Sequence, residues 1–295
     1  MTNSPEARTA VAKVHYRFAQ VHKHNVFYRE AGPKDGPAIL LLHGFPTSSH
    51  MFRNLIPELA ERYRVVAPDL PGFGFTASPS PFEHTFDHLA DVMDRFTSMI
   101  GMNRHALYVF DYGAPVGFRL ALMHPERITA LITQNGNAYE EGIGQVFDPM
   151  RRYWREASAK NRDALRELLT PESIQWQYTQ GVSDTTVIAP ESYVLDAALL
   201  ARPASDEIQL DLFLNYGTNV ALYPRFQEYF RARHPPLLAV WGRNDPIFLP
   251  AGAEAFKRDL PDAEVLLYET GHFALETHVA EIGTAMREFL ARRVG

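Results

Sequence analysis

The first part of the chain alternates short apolar runs with segments in which apolar residues recur at helical spacing. The run "PAILLLHG" is continuous enough to be a strand buried on both faces, and "YRVVAPDL", "HALYVFD" and "RITALITQN" follow it as further strand candidates. Between them, "FDHLADVMDRFTSMIG" has the spacing of an amphipathic helix that ends at Gly101. Two alternating segments, "VHYRFAQVH" and "NVFYREAG", precede these runs. This order predicts an α/β fold with a mostly parallel central sheet flanked by helices.

The pattern changes after Asn137, where the chain becomes rich in Trp, Tyr and Arg and has no buried strand run. The strand pattern returns at "PPLLAVWG" and "AEVLLYETG", and an amphipathic helix, roughly Leu275 to Arg293, closes the chain. We therefore predict a core domain of residues 1–137 and 234–295, interrupted by a helical cap of residues 138–233. The prolines expected to break the helical stretches of this cap are Pro149, Pro171, Pro190, Pro203 and Pro224.

Composition narrows the classes of function. The chain has 295 residues, of which 46% are hydrophobic, and this suits one large α/β domain with an insertion. A net charge of −6 without a dense basic cluster argues against a nucleic-acid partner. The absence of cysteine excludes disulfides, thiolate metal sites and a Cys nucleophile. No apolar run has the length of a membrane span, so we expect a cytoplasmic protein without a membrane partner.

The stretch "VFDYGAPVG", residues 109–117, has the build of a nucleophile elbow, a sharp strand-to-helix turn that normally carries Ser in a G-x-S-x-G frame. The central residue here is Asp111, and the helix start behind it supplies N–H donors and a positive dipole end that favour a carboxylate. Gly113 and Gly117 keep the helix slim where it approaches the sheet. An N-cap Asp would have the same local pattern, so the assignment depends on other parts of the chain.

Three further motifs follow predicted strands. In "LLLHGFP" the backbone N–H of Phe45 is placed to form an oxyanion hole together with that of Tyr112. Asp245 lies in "VWGRNDPIF" and His272 in "YETGHFALE", each just beyond a strand. The chain order of nucleophile, acid and histidine is that of the α/β-hydrolase fold, and carboxyl ends of parallel strands are where such sheets bind ligands. We predict a catalytic triad of Asp111, Asp245 and His272.

The motifs "FYREAG", "HGFPTSS", "VVAPDLPGFG", "VFDYGAPVG", "HPERI", "WGRNDP" and "GHFALE" together resemble the α/β-hydrolase superfamily, and within it the epoxide hydrolases and haloalkane dehalogenases, which use an Asp nucleophile. Chemistry explains the carboxylate independently. A Ser that attacked an sp³ carbon would form a stable ether, whereas Asp111 forms an ester. Water activated by His272 can hydrolyse that ester, while Asp245 orients the imidazole. The expected substrate is a small hydrophobic epoxide or alkyl halide, with no cofactor and no metal.

The identity of the leaving group has to be inferred from positions whose motifs are less specific. The resemblance to dehalogenases implies halide donors from a Trp after the nucleophile and often from Asn in H-G-N-P, but this chain has Tyr112 and Phe45 there. Fluoroacetate dehalogenases carry arginines one and four residues after the nucleophile, where this chain has Tyr112 and Pro115. The resemblance to epoxide hydrolases implies cap tyrosines that protonate the ring oxygen. Tyr153 in "YWRE" is the nearest substitute for the first, and Tyr223, with Tyr216 as the fallback, for the second.

Other side chains placed to contact substrate or leaving group are Trp154, Trp176, Asn135 and Asn137. We therefore favour an epoxide hydrolase over a haloalkane dehalogenase. Two other classes stay open: a non-catalytic relative that binds a hydrophobic ligand, and a cofactor-independent lyase or oxygenase in which His272 is the base. The sequence allows a monomer or a homodimer.

Overall fold

An eight-stranded sheet forms the centre of the computed structural model, which describes residues 12–294. The strand order is β1-β2-β4-β3-β5-β6-β7-β8. The first two pairings, β1 with β2 and β2 with β4, are antiparallel, and all later neighbours are parallel. Helices connect the parallel strands, so the predicted α/β-hydrolase fold with its mostly parallel sheet is confirmed.

The strands form where the apolar runs predicted them, and those in the middle of the sheet are the most apolar. Every residue of β5 ("HALYVF") and of β7 ("LLAVWG") is buried, as expected for strands covered on both faces. The strands are His15–Val21 (β1), His24–Ala31 (β2), Ala38–Leu42 (β3), Arg64–Pro68 (β4), His105–Phe110 (β5), Ile128–Gln134 (β6), Leu237–Gly242 (β7) and Glu264–Tyr268 (β8).

Within the described residues, ten α-helices pack on the sheet or form the segment between β6 and β7, and short 3₁₀ turns join some of them. The closing helix α10 contains one non-helical residue, His278, which divides it at a kink. The helices are Leu55–Leu59 (α1), Phe86–Met99 (α2), Gly113–Met123 (α3), Asp148–Arg155 (α4), Ala159–Ala164 (α5), Pro171–Thr179 (α6), Pro190–Leu200 (α7), Ser205–Arg233 (α8), Pro250–Asp259 (α9) and Ala274–Arg293 (α10).

Residues 138–233, which we call the insertion, contain helices α4 to α8 and no strand. Pro149, Pro171 and Pro190 lie in the first turns of helices, where a missing N–H costs no hydrogen bond. The expectation that Pro224 breaks a helix is wrong, because Pro224 lies inside α8. An internal proline costs a helix about 3 kcal/mol. The long buried face of α8, with Tyr223 and Phe226 beside the proline, offsets that cost. That the insertion acts as a cap stays a prediction.

A buried polar pair within the insertion packs against the core next to the closing helix α10. The Tyr178 hydroxyl on α6 donates to Asp196 Oδ2 on α7 over 2.5 Å. The Tyr178 ring stacks on Phe273 with centroids 3.7 Å apart and planes 8° from parallel. Burial raises the pKa of Asp196 to about 8, against the opposing effect of hydrogen bonds from Tyr178 and Thr47. Asp196 is therefore largely protonated at neutral pH.

Across residues 12–294, no helix is both long enough and apolar enough to span a bilayer. A cytoplasmic location stays a prediction.

Replacing Asp196 with Asn tests this buried carboxyl. An unfolded Asp titrates near pH 4, so between about pH 4 and pH 8 the folded chain holds a proton that the unfolded chain has lost. The free energy of unfolding of the wild type therefore falls as pH rises through this window. Asn does not titrate, so the variant lacks this pH dependence. We therefore expect the Tm difference, Asp196→Asn minus wild type, to increase by several degrees from pH 5 to pH 8, since a change of 1 kcal/mol in stability shifts Tm by roughly 2–4 °C.

The matched control is Asp35→Asn, which makes the same change at an exposed position. Its Tm should track that of the wild type across the pH range. Parallel Tm curves for Asp196→Asn and the wild type would contradict a raised pKa at Asp196.

Candidate active site

The elbow at Asp111 is a strained turn between β5 and α3. Asp111 has a φ of 46°, in the left-handed region that side-chain-bearing residues rarely adopt. The Asp111 carbonyl accepts a hydrogen bond from the Ala114 N–H over 2.9 Å, which closes the turn. A Cβ at position 113 would overlap the Leu42 carbonyl, so glycine is needed where α3 passes the end of β3. The turn places the Asp111 side chain at the C-terminal end of the parallel strands.

Backbone N–H groups hold one oxygen of this carboxylate. The Phe45 N–H, just beyond β3, donates to Asp111 Oδ1 over 2.6 Å. The Tyr112 N–H also hydrogen-bonds the carboxylate. These are the two donors that the sequence predicts for an oxyanion hole, and both converge on the same side chain. Gly44 permits the approach, since a Cβ there would overlap the Asp111 carboxylate.

The other carboxylate oxygen faces His272. His272 Nε2 lies 3.9 Å from Asp111 Oδ2, and its Nδ1 lies 2.8 Å from Asp245 Oδ2. A proton on Nδ1 is therefore shared with Asp245, which leaves Nε2 as the basic atom directed at Asp111. Nε2 is buried and has no hydrogen-bond partner among residues 12–294. The structure thus brings the three predicted triad residues into one contiguous group.

Asp245 is fixed by donors from two directions. The Ile247 N–H donates to Oδ1 over 2.8 Å, and the Asn135 amide donates to Oδ2 over 2.7 Å. Asn135 follows β6 with a φ of 47°, and its side-chain oxygen Oδ1 accepts from the Gly242 N–H over 3.2 Å. Asn135 was a candidate for substrate contact, but its amide is instead used to hold the carboxylate that pairs with His272.

Burial and the neighbouring charges have opposite effects on the pKa values of Asp111 and His272. Burial raises the pKa of Asp111 to about 6, although His272 and the N–H donors of Phe45 and Tyr112 lower it. For His272, burial lowers the pKa, but the neighbouring Asp245 and Asp111 carboxylates more than compensate and leave the pKa above its usual value. Asp111 is therefore mainly ionised at neutral pH, next to a histidine that readily accepts a proton.

A cavity opens beside Asp111. Asp111 and Tyr112 are its only titratable wall residues, and most of the others are apolar. Among the candidates for substrate or leaving-group contact in the insertion, only Trp176 lines it. The wall residues are Phe45, Asp111, Tyr112, Val146, Phe147, Met150, Leu168, Ser173, Trp176, Gln177, Phe213 and Ile247.

Two of the remaining candidates have their polar atoms occupied elsewhere. The Tyr153 hydroxyl accepts from Arg162 Nη1 over 3.0 Å. The Trp154 indole N–H donates to the Phe213 carbonyl over 2.7 Å. Neither side chain lines the cavity, so neither is placed as a donor to a leaving group.

Tyr216 and Tyr223 form a pair behind the cavity wall. Their hydroxyl oxygens lie 3.4 Å apart, and the Asn137 amide donates weakly to Tyr223 over 3.4 Å and to the Tyr139 carbonyl over 2.6 Å. The Tyr216 ring lies 5.6 Å from the ring of Tyr112. Burial, together with smaller effects that include the charge of Asp111, raises the pKa of Tyr223 to about 12. The same causes raise the pKa of Tyr216 well above its usual value.

Several wall residues were not singled out from the sequence. Most are apolar side chains of the insertion, which pattern alone does not distinguish from ordinary core residues. Ser173 and Gln177 are the exceptions, because they share one face of α6 with Trp176 and have the spacing of a helical stripe. That spacing was a usable signal. Within the described part of the chain, no three His, Asp or Glu side chains are grouped as a metal site would require.

Comparison with known proteins identifies the family and a range of relatives. A model of the alpha/beta hydrolase fold family matches residues 37–279. "Uncharacterized hydrolase YNR064C" of Saccharomyces cerevisiae is 48% identical over 261 residues, 87% of this chain and 90% of that protein. A haloalkane dehalogenase of Mesorhizobium japonicum is 32% identical over 186 residues, 62% of this chain and 54% of the dehalogenase. The solved structure "Epoxide hydrolase CorEH without ligand" has a TM-score of 0.78 at 19% identity, covering 95% of this chain and 99% of that one.

The pKa of Asp111 can be measured directly. In protein labelled with ¹³C at the aspartate carboxyl carbons, we expect one resonance to titrate with a midpoint at about pH 6 and to be absent in Asp111→Asn. The midpoint is high because burial outweighs the hydrogen bonds that favour the charged form. A midpoint near the usual value of about 4 would show that the N–H donors and His272 dominate instead.

Proposed function

The chain belongs to the α/β-hydrolase fold family, and we propose that within it the chain is an epoxide hydrolase with Asp111 as its nucleophile. The observation that carries this proposal is the Asp111 carboxylate itself, with the Phe45 N–H 2.6 Å from one oxygen and His272 Nε2 3.9 Å from the other. An elbow carboxylate suits attack on an sp³ carbon, since the resulting ester can be hydrolysed.

In the first step, Asp111 Oδ2 attacks a ring carbon of the epoxide. The C–O bond of the ring breaks, its electron pair goes to the ring oxygen, and that oxygen takes a proton. The product is an ester between Asp111 and a β-hydroxyalkyl group. Burial in an apolar cavity favours this step, because the attacking carboxylate is poorly solvated and a neutral substrate brings no opposing charge.

In the second step, His272 Nε2 removes a proton from a water molecule, which attacks the carboxyl carbon of Asp111. The former Oδ1 takes on negative charge and is stabilised by the backbone N–H groups of Phe45 and Tyr112. Asp245, 2.8 Å from Nδ1, stabilises the imidazolium that forms. The ester bond then breaks, and the imidazolium of His272 gives its proton to the departing alkoxide, which completes the diol. The second proton of the water, left on Asp111, returns to the acid that protonated the ring oxygen and restores the Asp111 carboxylate.

The tyrosine pair supports an epoxide as the substrate. An epoxide needs an acid for its ring oxygen, and the hydroxyls of Tyr216 and Tyr223 are buried acids within electrostatic reach of Asp111, as is the hydroxyl of Tyr112 in the cavity wall. With raised pKa values both are neutral at pH 7, so each retains a proton to give to an alkoxide. We assign the pair as the proton source for ring opening. Neither tyrosine lines the cavity, and Tyr216 is the nearer of the two, with its ring 5.6 Å from that of Tyr112 in the cavity wall.

A haloalkane dehalogenase is the second candidate. Halide release needs N–H donors, and the indole N–H groups of Trp154 and Trp241 are engaged with the carbonyls of Phe213 and Phe248. Trp176 favours this alternative, because it lines the cavity and its indole N–H bonds no residue in the described range 12–294. The relative from Mesorhizobium japonicum supports it as well. The cavity wall has no arginine, which argues against a fluoroacetate-type substrate.

Trapping the covalent ester tests the nucleophile. His272→Gln cannot activate water, so incubation with a styrene oxide or bromoalkane should raise the intact mass by one alkyl group, located on the peptide that contains Asp111. Asp111→Ala in the same background is the control and should gain no mass. If folded His272→Gln protein gains no mass from any epoxide or haloalkane tested, the covalent mechanism is wrong.

Tyr216→Phe and Tyr223→Phe distinguish the two leaving groups. If the pair protonates the ring oxygen, each change should lower kcat/KM for an epoxide by about 10²-fold or more, because general acid catalysis contributes that much. Hydrolysis of a bromoalkane needs no such proton and should change only a few-fold. Tyr229→Phe removes a buried hydroxyl from the same helix and should leave both rates unchanged. Efficient bromide release that depends on Trp176 and not on the tyrosines would favour the dehalogenase.

A further inference from the structure

Three residues with polar side-chain groups, all on one face of α6, line the cavity. Ser173, Trp176 and Gln177 are separated by three and four residues along the helix, so their side chains share a face, and all three line the cavity. Across residues 12–294, neither the Ser173 hydroxyl, the Trp176 indole N–H nor the Gln177 amide forms a hydrogen bond with another residue. We call these three residues the α6 polar face.

Gln177 is the unusual member of this face. Its side chain belongs to a residue only 6% exposed, yet its amide has no protein partner in the described structure. An amide fully buried without a hydrogen bond would cost about 1–3 kcal/mol, but the Gln177 amide atoms are not among the fully buried polar atoms and keep access to the cavity that the residue lines. Gln175, two residues earlier, shows that α6 can carry the same side chain at an exposed position without that cost. A molecule in the cavity that offers a hydrogen-bonding group would give this amide the partner it lacks in the protein.

The rest of the cavity limits what that molecule is. Apart from Asp111, no wall residue carries a charge at neutral pH, so an anionic substituent would find no counter-charge and would lie near a carboxylate. The other walls are mainly apolar, including Phe147, Met150 and Phe213. Trp176, 37% exposed, lies at the mouth, and Gln177 lies deeper.

We propose that the α6 polar face binds a neutral oxygen substituent of the substrate, a hydroxyl or a carbonyl, with Gln177 as the residue that determines this specificity. The proposal rests on the proposed function for the reacting group and adds the substrate class, which is a small, mostly apolar epoxide with one uncharged polar substituent. The Gln177 amide donates to that oxygen or accepts from a hydroxyl, while the apolar walls hold the carbon skeleton.

The test compares substrates that differ in one hydroxyl. We expect the wild type to prefer 4-(hydroxymethyl)styrene oxide over styrene oxide in kcat/KM, and Gln177→Leu to lower that preference at least roughly five-fold, as the loss of one hydrogen bond implies. Gln175→Leu makes the same change on the exposed side of the same helix and should keep the wild-type preference. Ser173→Ala is a second, smaller change to the same face and should lower the preference in the same direction.

A binding experiment separates this inference from the reaction itself. By calorimetry, 4-ethylbenzyl alcohol should bind the wild type at least roughly five-fold tighter than ethylbenzene, and Gln177→Leu should remove the difference. These ligands have no epoxide, so the result stands even if no epoxide is hydrolysed and the proposed function fails. Equal discrimination by the wild type and Gln177→Leu, or no preference for the alcohol in the wild type, overturns the role of Gln177 and leaves the proposed function untouched.

Discussion

A charged carboxylate held out of water is the constraint on which the rest of this structure depends. Asp111 is 5% exposed, and burial alone would favour its neutral form. The charge is kept by two backbone N–H groups and by His272, which come from the ends of β3, β5 and β8. β3 and β5 are neighbouring parallel strands, whereas His272 reaches Asp111 from the end of β8, three strands away in the sheet. Glycines at 44 and 113 then allow the backbone to approach the carboxylate closely enough to stabilise it.

The core of this arrangement could be predicted from the sequence, because it depends on features that are local in the chain. Buried parallel strands leave continuous apolar runs, and Asp111, Asp245 and His272 each follow one of those runs. All strands of a parallel sheet end on the same side of the sheet, so residues that directly follow these strands lie at that same end of the molecule. The elbow has an equally local signature, because its glycines mark positions where a side chain would overlap the neighbouring strand.

The walls of the cavity could not be predicted in the same way, since they depend on how the helices of the insertion pack. Tyr153 matched a family motif, yet Arg162, nine residues later, occupies its hydroxyl. Pro224 suggested a break, yet the buried face of α8 keeps the helix continuous through it. Neither outcome is encoded in a short window of sequence. Only the helical spacing of Ser173, Trp176 and Gln177 offered a local signal, and it required attention to polar residues as well as apolar ones.

Two asparagines that follow β6 link the group formed by Asp111, His272 and Asp245 to the pair of tyrosines on α8. Asn135 holds Asp245, and through it the orientation of His272. Asn137, two residues further on, bonds the Tyr139 carbonyl and approaches the Tyr223 hydroxyl. The strand end that orients the base therefore also supports the tyrosine pair on α8, where the insertion meets the core. A shift of α8 relative to β6 would disturb the tyrosines before it disturbed the triad. Under the proposed mechanism, variation in the insertion would therefore change the leaving group or the substrate while Asp111, His272 and Asp245 kept their arrangement.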